Sequence, residues 1–502
     1  MKRYLTIILG MVLSCGLCHA QNIDDDFMDE GDDFESFRQA IHKDFESFRQ
    51  KINREYAEFV RHPWKVTKNE KPTPKPKDEV TPPVVKPEND DDKPVEPKPV
   101  PIEEVIQPVI DDTPQPEPIE PIEEQPQPVE NYMEFVFFGT KEKVRVPVQK
   151  TNNAVDKNVY AVENIASTWE ALSTGEYDNL LIDCLNTRRT RGLCDWAYLQ
   201  MIRDLSEQYL GGRCNMATLM TAWLYCQSGY QMRMAIEGTK LHLLVGSKHH
   251  IFGQSYYKVD ETNFYPFLHN GEEIKERVQI CGASFPNETA MSLLVPEAQD
   301  FDVKYSSSRT ISSKRFTNVS ASVKINQNLV SFYNTYPTSM LDENVMTRWA
   351  MYANTPMAKD VTNQLYPQLK SVLNGKSQLD AVNILLNWVQ TGFEYEYDDK
   401  VWGGDRAFFA EESLNYPYCD CEDRSILFTR LVRDLLGLKC ILVFYPGHLA
   451  SAVRFTDSVS GGDYIQLNGE RYIVSDPTYI GAPVGMTMPN MDNQTAKVIL
   501  LE

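Results

Sequence analysis

Between Pro63 and about Glu130 more than half of the chain's 30 prolines alternate with Lys, Asp and Glu, as in PTPKPKDE and PQPEPIEPIEEQPQP. No hydrophobic core can form from such a stretch. Proline fixes φ and offers no N–H, so the composition predicts a disordered, extended spacer of at most about 3.1 Å per residue over 63–130. The spacer divides the chain into a short leader and a part long enough for more than one folded module.

The leader reads in two pieces. Residues 1–20 have the pattern of an export signal: Lys2 and Arg3, an apolar run from Tyr4 to Leu17, then Cys18, His19 and Ala20 before Gln21. This places the mature protein in the periplasm, on the cell surface or outside the cell. Val12-Leu13-Ser14-Cys15 also resembles a bacterial lipobox, and lipidation of Cys15 is the one route by which a membrane becomes a partner. Within 21–62 an eleven-residue unit recurs, DFESFRQ at 33–39 and 44–50 and EYAEFVR at 55–61. Phe34, Phe37, Ile41, Phe45, Phe48, Ile52, Tyr56 and Phe59 then fall three or four apart, which is one stripe on an amphipathic helix. The 33–61 stripe serves either an oligomer or protein partner, as in a coiled coil, or a surface of its own protein.

A formal charge of −21 argues against nucleic acid or an anionic membrane as partner. No nucleotide-binding or haem motif is present, so no cofactor is expected. Eight cysteines follow the leader, too thinly spread for a disulfide scaffold, although an oxidising compartment permits a bridge such as Cys184 with Cys194.

Chemistry concentrates near the C-terminus. In DCEDRSILFTRLVRDLLG the residues Ile426, Leu427, Leu431, Val432, Leu435 and Leu436 recur at helical spacing, and Gly437 stands where a C-cap belongs. Cys421 therefore lies in the first turn, beside unpaired N–H groups and the positive end of the helix dipole, which favour a thiolate and can hold an oxyanion. Asp420, Glu422 and Asp423 oppose the thiolate, though Asp420 suits an N-cap. PGHLASAVRF then begins a strand with His448, and YIVSDPTY ends one with Asp476. Sulfur, imidazole and carboxylate in this order suit a nucleophile, a general base and an orienting group. Cys419, Cys421 and His448 fall short of structural zinc spacing, so no metal is expected.

These segments resemble the transglutaminase-like superfamily, a papain-fold group of thiol peptidases, amidases and protein crosslinkers. The resemblance rests on Cys421 with Asp423 two residues on, Leu436-Gly437, His448, and Asp476-Pro477-Thr478. It implies that Cys421 is the nucleophile, His448 the general base and acid, and Asp476 the orienting residue. The chain departs from the family where His448 precedes Leu449-Ala450 rather than Ala-Trp. No motif fixes the oxyanion donors; Trp402 and Tyr416 are candidates.

The same order of elements occurs upstream, with Cys214 in GGRCNMATLMTAWLYCQSGY, His242 in KLHLLVG and Asp260 in YYKVDETNFYPF. Cysteine to histidine is 28 residues there and 27 in the later copy, which looks like a tandem duplication. The earlier copy is a degenerate, structural or substrate-binding module or else a second active site. The expected fold is α+β, two tandem transglutaminase-like (papain-like) modules at 131–297 and 336–502 joined by a β-rich segment at 298–335. The expected function is a cysteine-dependent peptidase or amidase acting on a protein or peptide substrate. The alternatives are a crosslinking transglutaminase and a non-catalytic binding or scaffold protein.

Overall fold

The computed structural model describes residues 49–76, 81–87, 96–107, 115–120, 122, 124, 131–147, 159–275, 277–341, 344–491 and 494–502. The signal-like residues 1–20, Cys15 among them, and residues 21–48, which hold the first copies of the repeat, lie outside the described residues. Ile52–Glu502 forms one compact unit. No helix among the described residues is long and apolar enough to cross a membrane.

The fold mixes α and β, with two six-stranded sheets in the same unit. In one the strand order is Lys65–Thr67, Val278–Ile280, Met232–Glu237, Lys240–Ser247, Thr262–Pro266, Tyr257–Val259. In the other it is Ile102–Ile106, Ala496–Leu500, Lys439–Tyr445, His448–Arg454, Glu470–Val474, Tyr464–Leu467. The two orders correspond strand for strand. Every pairing is antiparallel except that of Ile102–Ile106 with Ala496–Leu500. A cysteine-bearing helix precedes the central hairpin of each sheet, Asn215–Gln227 in one and Cys421–Leu436 in the other. One buried cluster runs from Tyr56 and Trp223 through Leu243 to Ile426, Leu449 and Ile499 and joins the two sheets, while each sheet covers a further cluster, around Leu244 and Phe264 in the first and Val443 and Val498 in the second.

Over its described residues the proline-rich segment departs from the expected disordered spacer. Lys65–Thr67 is an outer strand of the first sheet and Ile102–Ile106 an outer strand of the second. Between them the Thr81 N–H donates to the Gly447 carbonyl (2.7 Å), while Lys86 and Ile480 are joined through Lys86 N to Ile480 O (2.9 Å) and Ile480 N to Val84 O (2.9 Å). Further on, the main chain of Glu117 lies against Gly229 so closely that no Cβ fits, at a residue with φ +91°. An edge position needs hydrogen bonds on one side only, which proline tolerates. The open sheet edges supply partners that the segment lacks by itself.

The end of the repeat helix packs on its own protein: Tyr56 and Val60 are buried, and the Tyr56 ring lies 4.6 Å from Trp169 and 4.5 Å from Phe285. Phe59 is 60% exposed on the other side, so the stripe narrows there. Over 298–335 only the Arg309–Ser312 and Ser320–Val323 hairpin is sheet, followed by the helix Gln327–Tyr333. FDVKYSSS is not a strand: Val303 and Tyr305 are exposed and the alternation has no face to bury.

If Ile102–Ile106 is an integral strand, Ile106→Ala, which empties a 5% exposed site, will lower unfolding free energy by about 2–4 kcal/mol in a urea titration. A loose spacer would show no loss.

Candidate active site

The N-terminus of the Cys421–Leu436 helix is buried, and its donors are satisfied from within. The Asp420 carboxylate accepts the N–H groups of Glu422 (3.1 Å) and Asp423 (3.3 Å). Asp423 returns the bond to the Asp420 N–H (3.3 Å) and also accepts from the Phe408 N–H (2.8 Å), completing a capping box. At the far end Gly437 adopts φ 65°, the left-handed C-cap read from the sequence.

The acids that threaten a thiolate are each accounted for. Asp420 is spent on backbone donors. Glu422 accepts from Trp349 Nε1 (2.5 Å) and lies 3.8 Å from the Arg348 guanidinium, which also pairs with Asp405 at 3.0 Å. Burial first, then the charges of Asp420 and Asp398, hold the Asp423 carboxyl well above the usual range, so it resists ionising. The carboxylates of Asp398, Asp405 and Glu422 come within 4.8 Å of one another, but Arg348 already supplies a cation to two of them. Among the described residues Cys419, Cys421 and His448 do not gather closely enough to hold a metal.

His448 and Asp476 meet directly. The imidazole Nε2 is 2.8 Å from Asp476 Oδ2, and both residues are almost wholly buried, at 1% and 3% exposure. Asp476 Oδ1 accepts the N–H groups of Thr478 (2.8 Å) and Tyr479 (3.3 Å), which explains the Asp-Pro-Thr sequence. Pro477 has no N–H to compete, and the chain turns back onto the carboxylate. Gln390 holds this turn from the preceding helix, donating Nε2 to the carbonyls of Asp476 (3.0 Å), Tyr479 (2.8 Å) and Ala482 (3.0 Å). The other ring nitrogen, His448 Nδ1, is buried without a hydrogen-bond partner. Cys421, 6% exposed, opens the helix that is tied to the His448 strand where Ser425, one turn along, donates its hydroxyl to the Leu449 carbonyl (2.9 Å).

Tyr395 is the site residue that sequence reasoning missed. Its hydroxyl is buried with no hydrogen-bond partner, and the phenol is pushed far up, first by burial and then by the neighbouring Cys421 and Asp420. Arg424 fixes it in place, donating to the Gln390 (3.2 Å) and Phe393 (3.0 Å) carbonyls with its guanidinium 5.3 Å from the Tyr395 ring centre. Trp402 and Tyr416, the residues expected to hold an oxyanion, are engaged otherwise. The Tyr416 hydroxyl donates to Asn334 Oδ1 (3.3 Å), and the Trp402 and Tyr416 rings pack 5.0 Å apart beside Phe408. The helix-start amides of Glu422 and Asp423, expected to serve an oxyanion, are instead consumed by Asp420.

In the first sheet Cys214 is half-buried at the N-cap of its helix, and Asn215 ties that start to the histidine strand through Leu241 N–H (2.9 Å) and the Thr239 carbonyl (2.8 Å). His242 is buried in that strand. Asp260 is not its partner. It sits exposed at φ +47° in the turn between Tyr257–Val259 and Thr262–Pro266. The pairings Leu244 with Pro266 and Ser247 with Asn263 put that turn beyond Ser247, at the opposite end of the strand from His242. Asp476 follows the Glu470–Val474 strand, whereas Asp260 precedes the corresponding Thr262–Pro266 strand.

No disulfide joins Cys184, Cys194, Cys214, Cys226, Cys281, Cys419, Cys421 or Cys440, so the bridge that the sequence permits between Cys184 and Cys194 is not formed. Comparison with family models, with curated proteins and with solved structures returns no match for the chain.

Beneath the site, burial pushes the carboxyls of Glu411 and Glu412 up from 4.5 to about 7. Glu411 accepts the Ala358 N–H (2.6 Å), and Glu412 pairs with Arg406. In the unfolded chain both release protons near pH 4.5, in the folded one near 7, so their stabilisation is full below about 4.5 and lost as pH rises to about 7. Denaturant titrations across that window will show stability falling with pH, and Glu411→Gln will flatten the slope.

Proposed function

We propose that the chain is an exported cysteine-dependent enzyme acting on amide bonds through Cys421, His448 and Asp476, with two transglutaminase-like modules arisen by duplication. The observation that carries the reading is the state of His448. One nitrogen is locked on Asp476 and the other is buried with no partner, at the sheet end reached by the helix that begins with Cys421. Such an imidazole is oriented as a proton acceptor for a thiol. The matching strand orders of the two sheets, each after a cysteine-bearing helix, support the duplication.

In the proposed reaction the Cys421 sulfur bonds to an amide carbonyl carbon while its proton passes to His448 Nδ1. The Tyr395 hydroxyl donates to the oxyanion. The C–N bond breaks as His448 returns the proton to the departing amine, leaving a thioester. Water deprotonated by His448 then releases the acid, which gives a peptidase or amidase; a lysine amine in its place gives a crosslink. The near closure of Cys421 favours a second reading, a binding module whose site no longer turns over.

Screening the purified protein with peptide and glutamine-donor substrates decides between them. Cys421→Ala will abolish turnover, and Asp476→Asn will lower kcat by about 10³–10⁴. Native iodoacetamide labelling that finds Cys421 no faster than an unfolded-chain thiol defeats the enzyme reading. Tyr395→Phe will lower kcat by about 10²–10³ with little change in KM, the mark of a donor used in the transition state.

A further inference from the structure

A cavity of about 510 Å³ beside the first sheet is lined by Cys214, His242, Thr218, His269 and Glu207 among others. Cys214 and His242 thus border one space, and Cys214 is half-buried where Cys421 is only 6% exposed. The imidazole has its own carboxylate: His242 Nε2 is 3.1 Å from Glu237 Oε2. The register explains the contact. His242 pairs with Ala235, and Glu237 stands two residues along the same strand, on the same sheet face as Ala235. Glu237 is anchored in turn by the Lys275 N–H (2.8 Å).

The arrangement parallels the later site at the ring nitrogen. In both, Nε2 is tied to a carboxylate, which leaves Nδ1 as the nitrogen that can take a thiol proton. The carboxylate differs in origin. Asp476 follows the strand on one side of His448, and Glu237 ends the strand on the other side of His242. A resident metal does not fit the cavity, because its cysteine, histidine and glutamate ligand atoms do not come within 4.8 Å as a group of three. Its wall carries Arg203, Arg213 and Lys240 against Glu207 and Glu272, with His269 on Glu207 at 2.6 Å and Lys240 on Glu272 at 3.5 Å.

We infer that this cavity is a second thiol site for acyl compounds, in which Cys214 is the nucleophile, His242 its base and Glu237 the orienting carboxylate. In its acylation step the Cys214 sulfur bonds to the acyl carbon and its proton moves to His242 Nδ1. The bond from that carbon to the leaving oxygen or nitrogen breaks, the leaving group takes the proton, and a thioester remains on Cys214. The site uses no residue of the Cys421 site and is tested without it.

The full chain carrying Cys421→Ala is treated with p-nitrophenyl acetate and, separately, with iodoacetamide, and Cys214 is followed by peptide mass spectrometry. The expected result is acetyl-Cys214 with release of one equivalent of nitrophenolate, and alkylation at neutral pH that slows by about 100-fold in His242→Asn. Because His242 is buried, Glu237→Gln provides the second variant; it keeps the shape of the hydrogen-bonded pair and will slow both reactions by about tenfold or more. Unchanged rates in Glu237→Gln, or acetylation found elsewhere and not on Cys214, overturn the inference. Failure of Cys421 to label in the wild-type chain bears only on the later site.

Discussion

A helix whose first turn is closed off from water must find acceptors for its amides inside the protein, and the Cys421–Leu436 helix does so with acids. Asp420 takes two amides, and Asp423 closes the capping box and accepts the Phe408 N–H. That choice would leave a thiol among three negative charges. It is tolerable because Glu422 is met by Arg348 and Trp349, while burial keeps Asp423 from ionising. Arg424, in the same turn, meets the opposite need: it donates to carbonyls at the end of the Gln378–Gly392 helix and lies over the Tyr395 ring. Helix capping and the electrostatics of the site are therefore one problem with one solution.

The second sheet then delivers the imidazole and carboxylate through strand order alone. His448 opens one strand and Asp476 follows its neighbour, so the turn that carries the aspartate folds onto the ring without a long loop. In the first sheet the corresponding strand ends in Pro266, and the carboxylate near the histidine comes from the opposite neighbour. Two sheets of matching strand order thus place a cysteine and a histidine alike by helix and strand position while differing in which strand supplies the carboxylate. The carboxylate only has to reach one ring nitrogen, and strands on both sides pass within range.

How much of this was legible follows from what each element depends on. The Cys421 helix and its cap at Gly437 are dictated by local periodicity and turn residues, and they are where the sequence puts them. His448 and Asp476 were readable because Asp-Pro-Thr has a local reason, the turn onto its own carboxylate. Asp260 misled because an order of residue types does not fix register, and register decided which strand end it occupies. Tyr395 and Gln390 belong to no pattern. Their roles arise where a helix end meets a turn about 90 residues away, which only tertiary packing reveals.

The proline-rich stretch failed as a spacer for the same reason. Judged alone, it has no apolar face and few donors, and water is its best partner. Two sheets with open edges change the comparison, since each offers a row of unpaired donors and acceptors that an extended chain can match without a core of its own. Its short pairings with both sheets occupy edges that would otherwise invite another chain. Because one segment closes both sheets, and passes Gly447 and Ile480 on either side of the His448 and Asp476 pair, losing it would loosen the two edges and the site together. A sequence that cannot fold by itself thus becomes part of the fold through backbone geometry, which composition does not record.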